Sequence, residues 1–232
     1  MPPGPGARRA ILVSTVSVLA GGGAALAGSL VLRVLMARAL PPDALGLVLL
    51  AIAVVTPIGS IAGLGMNPAI AQGVAERLAR GDEDGARSIA RRGLLLAFGS
   101  GAAVALLLAL LVRPLARLLD QPGLDRVLLP LAPVALGLAA GVAALGISRG
   151  FGDSLGRSLV RDTGGGLLRV LGVGAVLLAG SPTSFRVAAG FAAGSVTAEL
   201  LFAGYVAAKG WLSPAARVPT GPLMPALRPT RP

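Results

Sequence analysis

The sequence predicts an all-α, polytopic membrane protein in which six transmembrane helices form one bundle. Two observations lead to this prediction. The 232 residues are 54% hydrophobic and only 13% charged, whereas soluble domains carry about 25% charged residues. The apolar residues also gather in charge-poor stretches of about 20 residues, the length that a helix needs to cross about 30 Å of hydrocarbon.

Six such stretches follow one another and define a membrane bundle over residues 11–208. The first four contain no charged residue, the fifth contains Arg169 and the sixth contains Glu199. Residues 1–10 precede the bundle as a short cytoplasmic segment, and residues 209–232 follow it as a Pro-rich cytoplasmic tail that we expect to be disordered. The predicted spans are 11–32, 44–64, 93–112, 127–147, 164–180 and 187–208.

The basic residues predict the orientation of the bundle. If the N-terminus lies inside, the inner segments hold 14 Lys and Arg residues and the outer segments hold 6. Cytoplasmic loops carry the excess of basic residues. We therefore predict that both ends lie on the cytoplasmic side of the inner (cytoplasmic) membrane, which requires an even number of spans.

Small residues and prolines inside the spans predict how the helices pack. Gly and Ala let helices approach closely in lipid. We expect such contacts through the glycines of the spans, which are Gly21 to Gly23, Gly99, Gly101, Gly164 to Gly166, Gly190 and Gly194. Pro57, Pro130 and Pro133 remove backbone donors and should kink their helices. The connection over residues 69–92 has an acidic turn in its middle, and it is either two short cytoplasmic helices or a solvated loop whose arginines contact lipid headgroups.

The absence of two residue types excludes several kinds of chemistry. The chain has no Cys and no His, which removes thiolate metal sites, Cys nucleophiles and His general bases. We therefore predict no metal, no cofactor and no enzymatic activity. The formal charge of +11 does not indicate nucleic acid binding, because the chain has few aromatic residues for base stacking and its basic residues lie between apolar runs.

Glu199 is the sharpest candidate for a functional residue, because it is the only acidic residue inside a predicted span. A charge at the centre of a bilayer costs about 3 kcal/mol on insertion scales. Glu199 should therefore face the bundle interior or a wet cavity, with Ser195 and Thr197 close to it. Two interpretations stay open: a cation, proton or Arg-pairing site, or a carboxylate that only fixes helix packing.

Three arginines are further candidates for substrate binding. Arg169 lies five residues inside the fifth span, where its side chain either snorkels to the headgroups or faces a cavity and binds a phosphate. Arg33 and Arg38 follow the first span and present the same choice between an interfacial and a binding role.

Several segments together resemble a known family. They are LMARALPPDALG at residues 35–46, the segment 63–98 that opens with Gly-Leu-Gly, and the segment 146–172 with Arg149-Gly150 near its start. In order and spacing they are similar to the polysaccharide biosynthesis or export proteins, the Wzx-type lipid-linked oligosaccharide flippases of the multidrug/oligosaccharidyl-lipid/polysaccharide (MOP) exporter superfamily. The similarity extends over residues 10–208 and corresponds to the N-terminal one of that family's two bundles.

The resemblance implies a function that composition does not show. It implies two bundles that rock about a central cavity and move a polyprenyl-diphosphate-linked oligosaccharide across the membrane for polysaccharide biosynthesis. The implied partners are membrane lipid, the lipid-linked oligosaccharide, and a second six-helix bundle or a second copy of the chain. The alternative is a membrane assembly or scaffold protein that does not transport and binds partners through its Gly- and Ala-rich faces.

The predicted orientation can be tested in the natural Cys-free background. Cysteines introduced at Gly81 and Ser154 should be shielded from impermeant thiol reagents in intact cells, because both positions lie in predicted inner connections. Cysteines at Pro122 and Ser184 should react, because both lie in predicted outer connections. Labelling of Gly81→Cys from outside would contradict this orientation.

Overall fold

The computed structural model describes residues 5–63, 65–153, 156–180 and 182–213. These residues form eight α-helices and one π-helical segment, with no β-strand among them. The helices are α1 (Pro5–Ala39), α2 (Pro42–Ala62), α3 (Met66–Ala79), α4 (Glu83–Leu118), α5 (Leu124–Leu131), α6 (Val134–Gly150), the π-helical segment (Arg157–Gly164), α7 (Gly165–Leu178) and α8 (Ser184–Ala208).

All six predicted spans fall on helices, so the predicted all-helical membrane bundle is confirmed. Within the described residues, five helical stretches are long and apolar enough to cross a bilayer. The predicted fifth span lies on α7, which has only 14 residues and continues the π-helical segment. The five stretches are Leu19–Ala39, Pro42–Ala79, Glu83–Leu118, Leu124–Gly150 and Ser184–Ala208.

The connection between the second and third spans differs from both interpretations of the sequence. Its first half is helix α3, but its second half is the beginning of α4, which runs without a break from Glu83 to Leu118. Asp82 starts α4 by accepting a hydrogen bond from the Gly85 amide at 2.9 Å. The Arg77 guanidinium donates to the same carboxylate at 2.6 Å and holds the pKa of Asp82 below its ordinary value. Asp82 therefore stays ionised as a helix cap at every pH above its ordinary pKa, and this contribution is lost only in stronger acid.

The predicted fourth span is interrupted where its prolines lie. Pro130 is inside α5, and Pro133 precedes the first residue of α6. Because proline has no amide hydrogen, each of these two positions lacks one helical hydrogen bond, and α5 ends at Leu131 before α6 begins at Val134. The two helices together still form one apolar stretch from Leu124 to Gly150. Pro57, in contrast, lies inside the continuous helix α2.

Helix α6 occupies the centre of the bundle and contacts α2, α3, α4 and α8. Its alanines are fully buried, and a Cβ atom at Gly101 of α4 would lie only 2.9 Å from the Cα atom of Leu136 on α6. Gly190 and Gly194 of α8 bring that helix equally close to the backbone of α7. The predicted close approach is therefore found at these three glycines. It is not found at Gly22, Gly23 and Gly99, where a Cβ atom would have no heavy atom within 4 Å. The outward faces carry exposed leucines, as helices in contact with lipid do, including Leu26, Leu30, Leu95, Leu96, Leu106, Leu110 and Leu171.

The first residues of the predicted tail pack against the bundle. The indole of Trp211 stacks on the ring of Phe151 with a centroid distance of 4.8 Å and an interplanar angle of 2°. Leu212 also packs against the buried cluster around α3, α4 and α6. The rest of the predicted tail, residues 214–232, lies outside the described residues.

The Trp211–Phe151 contact gives a testable prediction about the tail. Trp211→Ala should lower the free energy of unfolding by at least about 1 kcal/mol, because it removes the stacked aromatic pair, which contributes about that much, together with the area that the indole buries against the bundle. Truncation after Ser213 should leave the thermal stability of the detergent-solubilised protein unchanged. A truncation that destabilises the protein more than Trp211→Ala would show that the residues beyond Ser213 belong to the folded unit.

Candidate functional site

The structure places Glu199 inside the bundle, as the sequence predicts. Glu199 lies on α8 and is only 3% exposed. Its carboxylate accepts a hydrogen bond from Nε of Arg161, with 3.3 Å between Nε and Oε2. On its other side, Nη2 of Arg169 lies 3.9 Å from Oε1. Two guanidinium groups therefore compensate one buried carboxylate.

Two glycines on α6 make room for this carboxylate. Gly137 and Gly141 are four residues apart and share one face of the helix. A Cβ atom at Gly141 would collide with Oε2 of Glu199, and a Cβ atom at Gly137 would lie 3.3 Å from the Cα atom of Val196 on α8. Helix α8 can approach α6 with a glutamate between them only because these positions have no side chain.

Arg161 is the site residue that the sequence analysis missed. It was counted there among the basic residues of an inner connection, but it lies in the π-helical segment with its side chain 22% exposed and paired with Glu199. Arg161 and Arg169 are eight positions apart, a spacing that in a regular helix places two residues on one broad face. Arg161 lies in the π-helical segment and Arg169 on α7, and both guanidinium groups reach the same carboxylate. Short π-helical segments are frequent at functional sites, but the sequence contains no pattern that predicts one.

A set of polar contacts fixes the beginning of the π-helical segment. Asp153 accepts a hydrogen bond from the Gly156 amide at 2.9 Å and one from the Tyr205 hydroxyl at 2.8 Å. The Ser148 hydroxyl donates to the backbone carbonyl of Asp153 at 2.7 Å. These contacts join the end of α6 and the end of α8 to the segment that carries Arg161.

A small cavity adjoins the carboxylate of Glu199. It has a volume of about 150 Å³, and Thr56, Arg169, Ser195 and Glu199 provide its polar lining. Val134, Leu138 and Phe191 complete its walls. We call it the inner chamber. The Ser195 hydroxyl, one helical turn before Glu199, is buried and has no hydrogen-bond partner in the described part of the chain.

A larger cavity of about 510 Å³ lies between α1, α2, α7 and α8. Arg33 and Arg169 are the charged residues in its lining, and most of the remaining wall is apolar. We call it the outer cavity. Three residues line both spaces: Thr56, Arg169 and Phe191.

Three of the four predicted site residues therefore meet at these two spaces. Glu199 lines the inner chamber, Arg33 lines the outer cavity, and Arg169 lines both. Arg169 reaches Glu199, so its guanidinium does not need to extend to the headgroups as the snorkelling interpretation required. Arg38 is exposed in the last turn of α1 and lines neither space. The described residues contain no cluster of acidic side chains suited to a metal ion.

These features define a class of protein: a multi-pass membrane bundle with a buried ionic cluster beside interior cavities. The profile of the MatE family matches residues 24–160, which is more than half of the chain. The chain belongs to the MatE family. A comparison with curated protein sequences gives no match.

Solved structures of MATE transporters share this fold. An inward-facing multidrug resistance MATE family transporter of the MOP superfamily is 20% identical with a TM-score of 0.60, over 75% of this chain and 40% of that chain. The outward-facing conformation of such a transporter is 19% identical with a TM-score of 0.66, over 85% and 44%. MATE in complex with MaD5 is 18% identical with a TM-score of 0.67, over 88% and 46%. This chain thus spans less than half the length of the structures that it matches.

The fit between Gly141 and Glu199 gives a testable prediction. Gly141→Ala should lower the free energy of unfolding by about 2 kcal/mol, because the methyl group overpacks the site and displaces the carboxylate from Arg161. In a Glu199→Ala background the same substitution should cost at least about 1 kcal/mol less, since the carboxylate is no longer there to collide with. Thermal unfolding of the four variants in detergent measures this coupling.

Gly204→Ala is the matched control, because a Cβ atom at this position of α8 has no heavy atom within 4 Å. We expect it to leave the melting temperature unchanged or slightly higher. Equal effects of Gly141→Ala in both backgrounds would contradict the proposed contact.

Proposed function

We propose that the chain is one bundle of a MatE-family transporter that moves a polyprenyl-diphosphate-linked oligosaccharide across the cytoplasmic membrane. The observation that carries this proposal is the charge of the residues that line the two cavities, of which Arg33 is an exposed residue of α1. The ionisable residues that line the two cavities are Arg33, Arg169 and Glu199, and Arg161 contacts Glu199 from outside the lining. Arginine is well suited to phosphate groups because its planar guanidinium donates two parallel hydrogen bonds.

The same charges argue against a cationic substrate at this site. A carboxylate that recognises a cation must be available to it, but both oxygens of Glu199 face guanidinium groups. A cation in the inner chamber would lie beside Arg169, at a distance where repulsion is strong in a low-dielectric interior. An anionic group in the outer cavity meets Arg33 and Arg169 and no acidic side chain in the described lining.

The wall of the outer cavity suits a ligand with a lipid tail. Leu32, Met36, Leu49, Ile52 and Phe191 form an apolar surface around the two arginines. Such a surface combines hydrocarbon contact with charge recognition, as an amphipathic phospholipid-like substrate requires. The far side of α1 exposes Leu26, Leu30 and Val34, so this helix stands between the cavity and the predicted lipid.

A second bundle is part of this proposal. The matched MATE transporters are more than twice as long as the portion that this chain covers. In transporters built from structural repeats, one bundle rocks against the other around a central site. We propose that a second copy of the chain or a separate bundle supplies that partner, and that both described ends of the bundle face the cytoplasm.

The proposal is tested by measuring flipping of a fluorescent polyprenyl-diphosphate oligosaccharide in proteoliposomes that contain the chain with its partner bundle. Arg33→Gln should reduce the flipping rate about tenfold or more, because a charge-assisted hydrogen bond contributes about 1.5–3 kcal/mol. Glu199→Gln should preserve folding and also reduce the rate, since Arg161 and Arg169 lose their shared carboxylate. Arg38→Gln is the control on α1 and should flip at the rate of the unaltered chain.

Each alternative has a distinct result in the same assay. Full activity of Glu199→Gln would limit Glu199 to a packing role. Export of cationic drugs without flipping of the lipid-linked sugar would show that the substrates are cationic drugs and not lipid-linked sugars. Absence of any transport, together with stable capture of a partner protein, would favour the assembly-protein alternative.

A further inference from the structure

Charged side chains of both signs line a cleft between the end of α4 and the beginning of α5. The cleft has a volume of about 520 Å³, and its charged lining consists of Arg113, Arg117, Asp120 and Asp125. We call it the α4–α5 cleft. Its described lining shares no residue with the inner chamber or the outer cavity. Its volume lies within the range of about 300–1,000 Å³ that is usual for small-ligand sites.

The opposite charges of the cleft do not neutralise each other directly. Among the residues that the structure describes, no ion pair joins one of these arginines to one of these aspartates. Arg113 and Arg117 are one turn apart on α4, and like charges at this spacing repel each other. The carboxylates come from a different part of the lining, because Asp120 follows the end of α4 and Asp125 lies in the first turn of α5. The cleft therefore offers a cationic part and an anionic part, and each can accept a partner.

The cleft lies where the sequence predicts a membrane surface, because the third predicted span ends at residue 112 and the fourth begins at residue 127. Leu106 and Leu110 precede the two arginines on the same face of α4, since intervals of three or four residues separate them. These leucines are 62% and 69% exposed. One face of α4 thus combines an apolar surface for a hydrocarbon chain with cationic groups at the level of the lipid headgroups.

The mixture of charges selects among possible ligands. A phosphate group alone would pair with the arginines but would be repelled by the carboxylates. The described residues contain no cluster of three acidic side chains for a metal ion. A ligand with a phosphate and a primary ammonium group matches both parts, because the ammonium donates up to three hydrogen bonds and ionised carboxylates only accept them. A quaternary ammonium has no hydrogen to donate.

We propose that the α4–α5 cleft binds the phosphoethanolamine headgroup of a membrane lipid. Arg113 and Arg117 pair with the phosphate. Asp120 and Asp125 accept hydrogen bonds from the ammonium, and an acyl chain lies along the exposed leucines of α4. The inference does not rest on the proposed function, because the cleft is separate from both cavities of the transport site.

Competition between lipids with identical acyl chains tests the site. The probe is phosphatidylethanolamine with a fluorophore on one acyl chain, which leaves the ammonium free, bound to the full chain in detergent micelles. Unlabelled dioleoyl phosphatidylethanolamine should displace the probe about fivefold better than dioleoyl phosphatidylcholine or dioleoyl phosphatidylglycerol, a ratio typical of one ion pair at a partly solvated site. The choline nitrogen has no hydrogen for the carboxylates, and phosphatidylglycerol has no ammonium group.

Two substitutions should have different signatures. Asp120→Asn should abolish the preference for phosphatidylethanolamine over phosphatidylcholine, and it should keep the fold because asparagine tolerates the left-handed backbone at φ 49°. Arg117→Gln should weaken binding of all three lipids by a similar factor of about five, because all of them carry the phosphate. Asp43→Asn and Arg126→Gln are the matched controls. Both residues are exposed and lie outside the cleft, so both variants should bind like the unaltered chain.

Three results would overturn this inference. The first is equal displacement by phosphatidylethanolamine and phosphatidylcholine, and the second is the same lipid preference in Asp120→Asn and Asp43→Asn. The third is displacement by water-soluble glycerophosphoethanolamine as effective as that by the lipid, which would identify a soluble ligand. Binding is measured without transport, so a chain that flips nothing leaves this inference in place, and a chain without headgroup preference leaves the transporter proposal in place.

Discussion

The burial of one carboxylate in an apolar helical bundle is the constraint on which the site depends. Glu199 lies 3% exposed among helices that are otherwise almost free of charge, and an uncompensated charge there would cost several kcal/mol. Its compensation requires Arg161 at 3.3 Å and Arg169 at 3.9 Å. It also requires Gly141 on the facing helix, because any side chain there would occupy the position of the carboxylate. The Glu199 carboxylate thus constrains one residue on each of three neighbouring elements: the π-helical segment, α7 and α6.

The π-helical segment connects this constraint to the rest of the bundle. It contains Arg161, which donates to Glu199, and Asp153 fixes its beginning through hydrogen bonds from the Gly156 amide and the Tyr205 hydroxyl. Tyr205 and Glu199 both belong to α8, so one helix holds the segment at its beginning and also receives its arginine. The stacked pair of Phe151 and Trp211 lies next to these contacts.

The fold and the site carry different information about function. The chain has the architecture of MATE transporters at 18–20% identity, and that architecture defines where cavities form. The side chains that line the cavities define what enters them. In this chain the charged residues lining the outer cavity are two arginines, and the carboxylate that lines the inner chamber is already engaged by guanidinium groups. A shared fold is compatible with substrates of opposite charge for this reason.

The sequence by itself determined the helical membrane bundle, because a long charge-free stretch in lipid has no alternative to a helix that satisfies its own backbone. It also determined that Glu199 faces the bundle interior, because a charged side chain that faces lipid costs too much free energy. The sequence did not determine that α4 extends through Arg91 and Arg92, because local helix formers are equally compatible with a separate short helix. The sequence also did not show that Arg161 belongs to the site or that Arg38 lies outside it. In the sequence, both are basic residues near the end of a span. Only the tertiary structure decided these points, because the π-helical turns and the close approach of α6 to α8 depend on contacts between residues far apart in the chain.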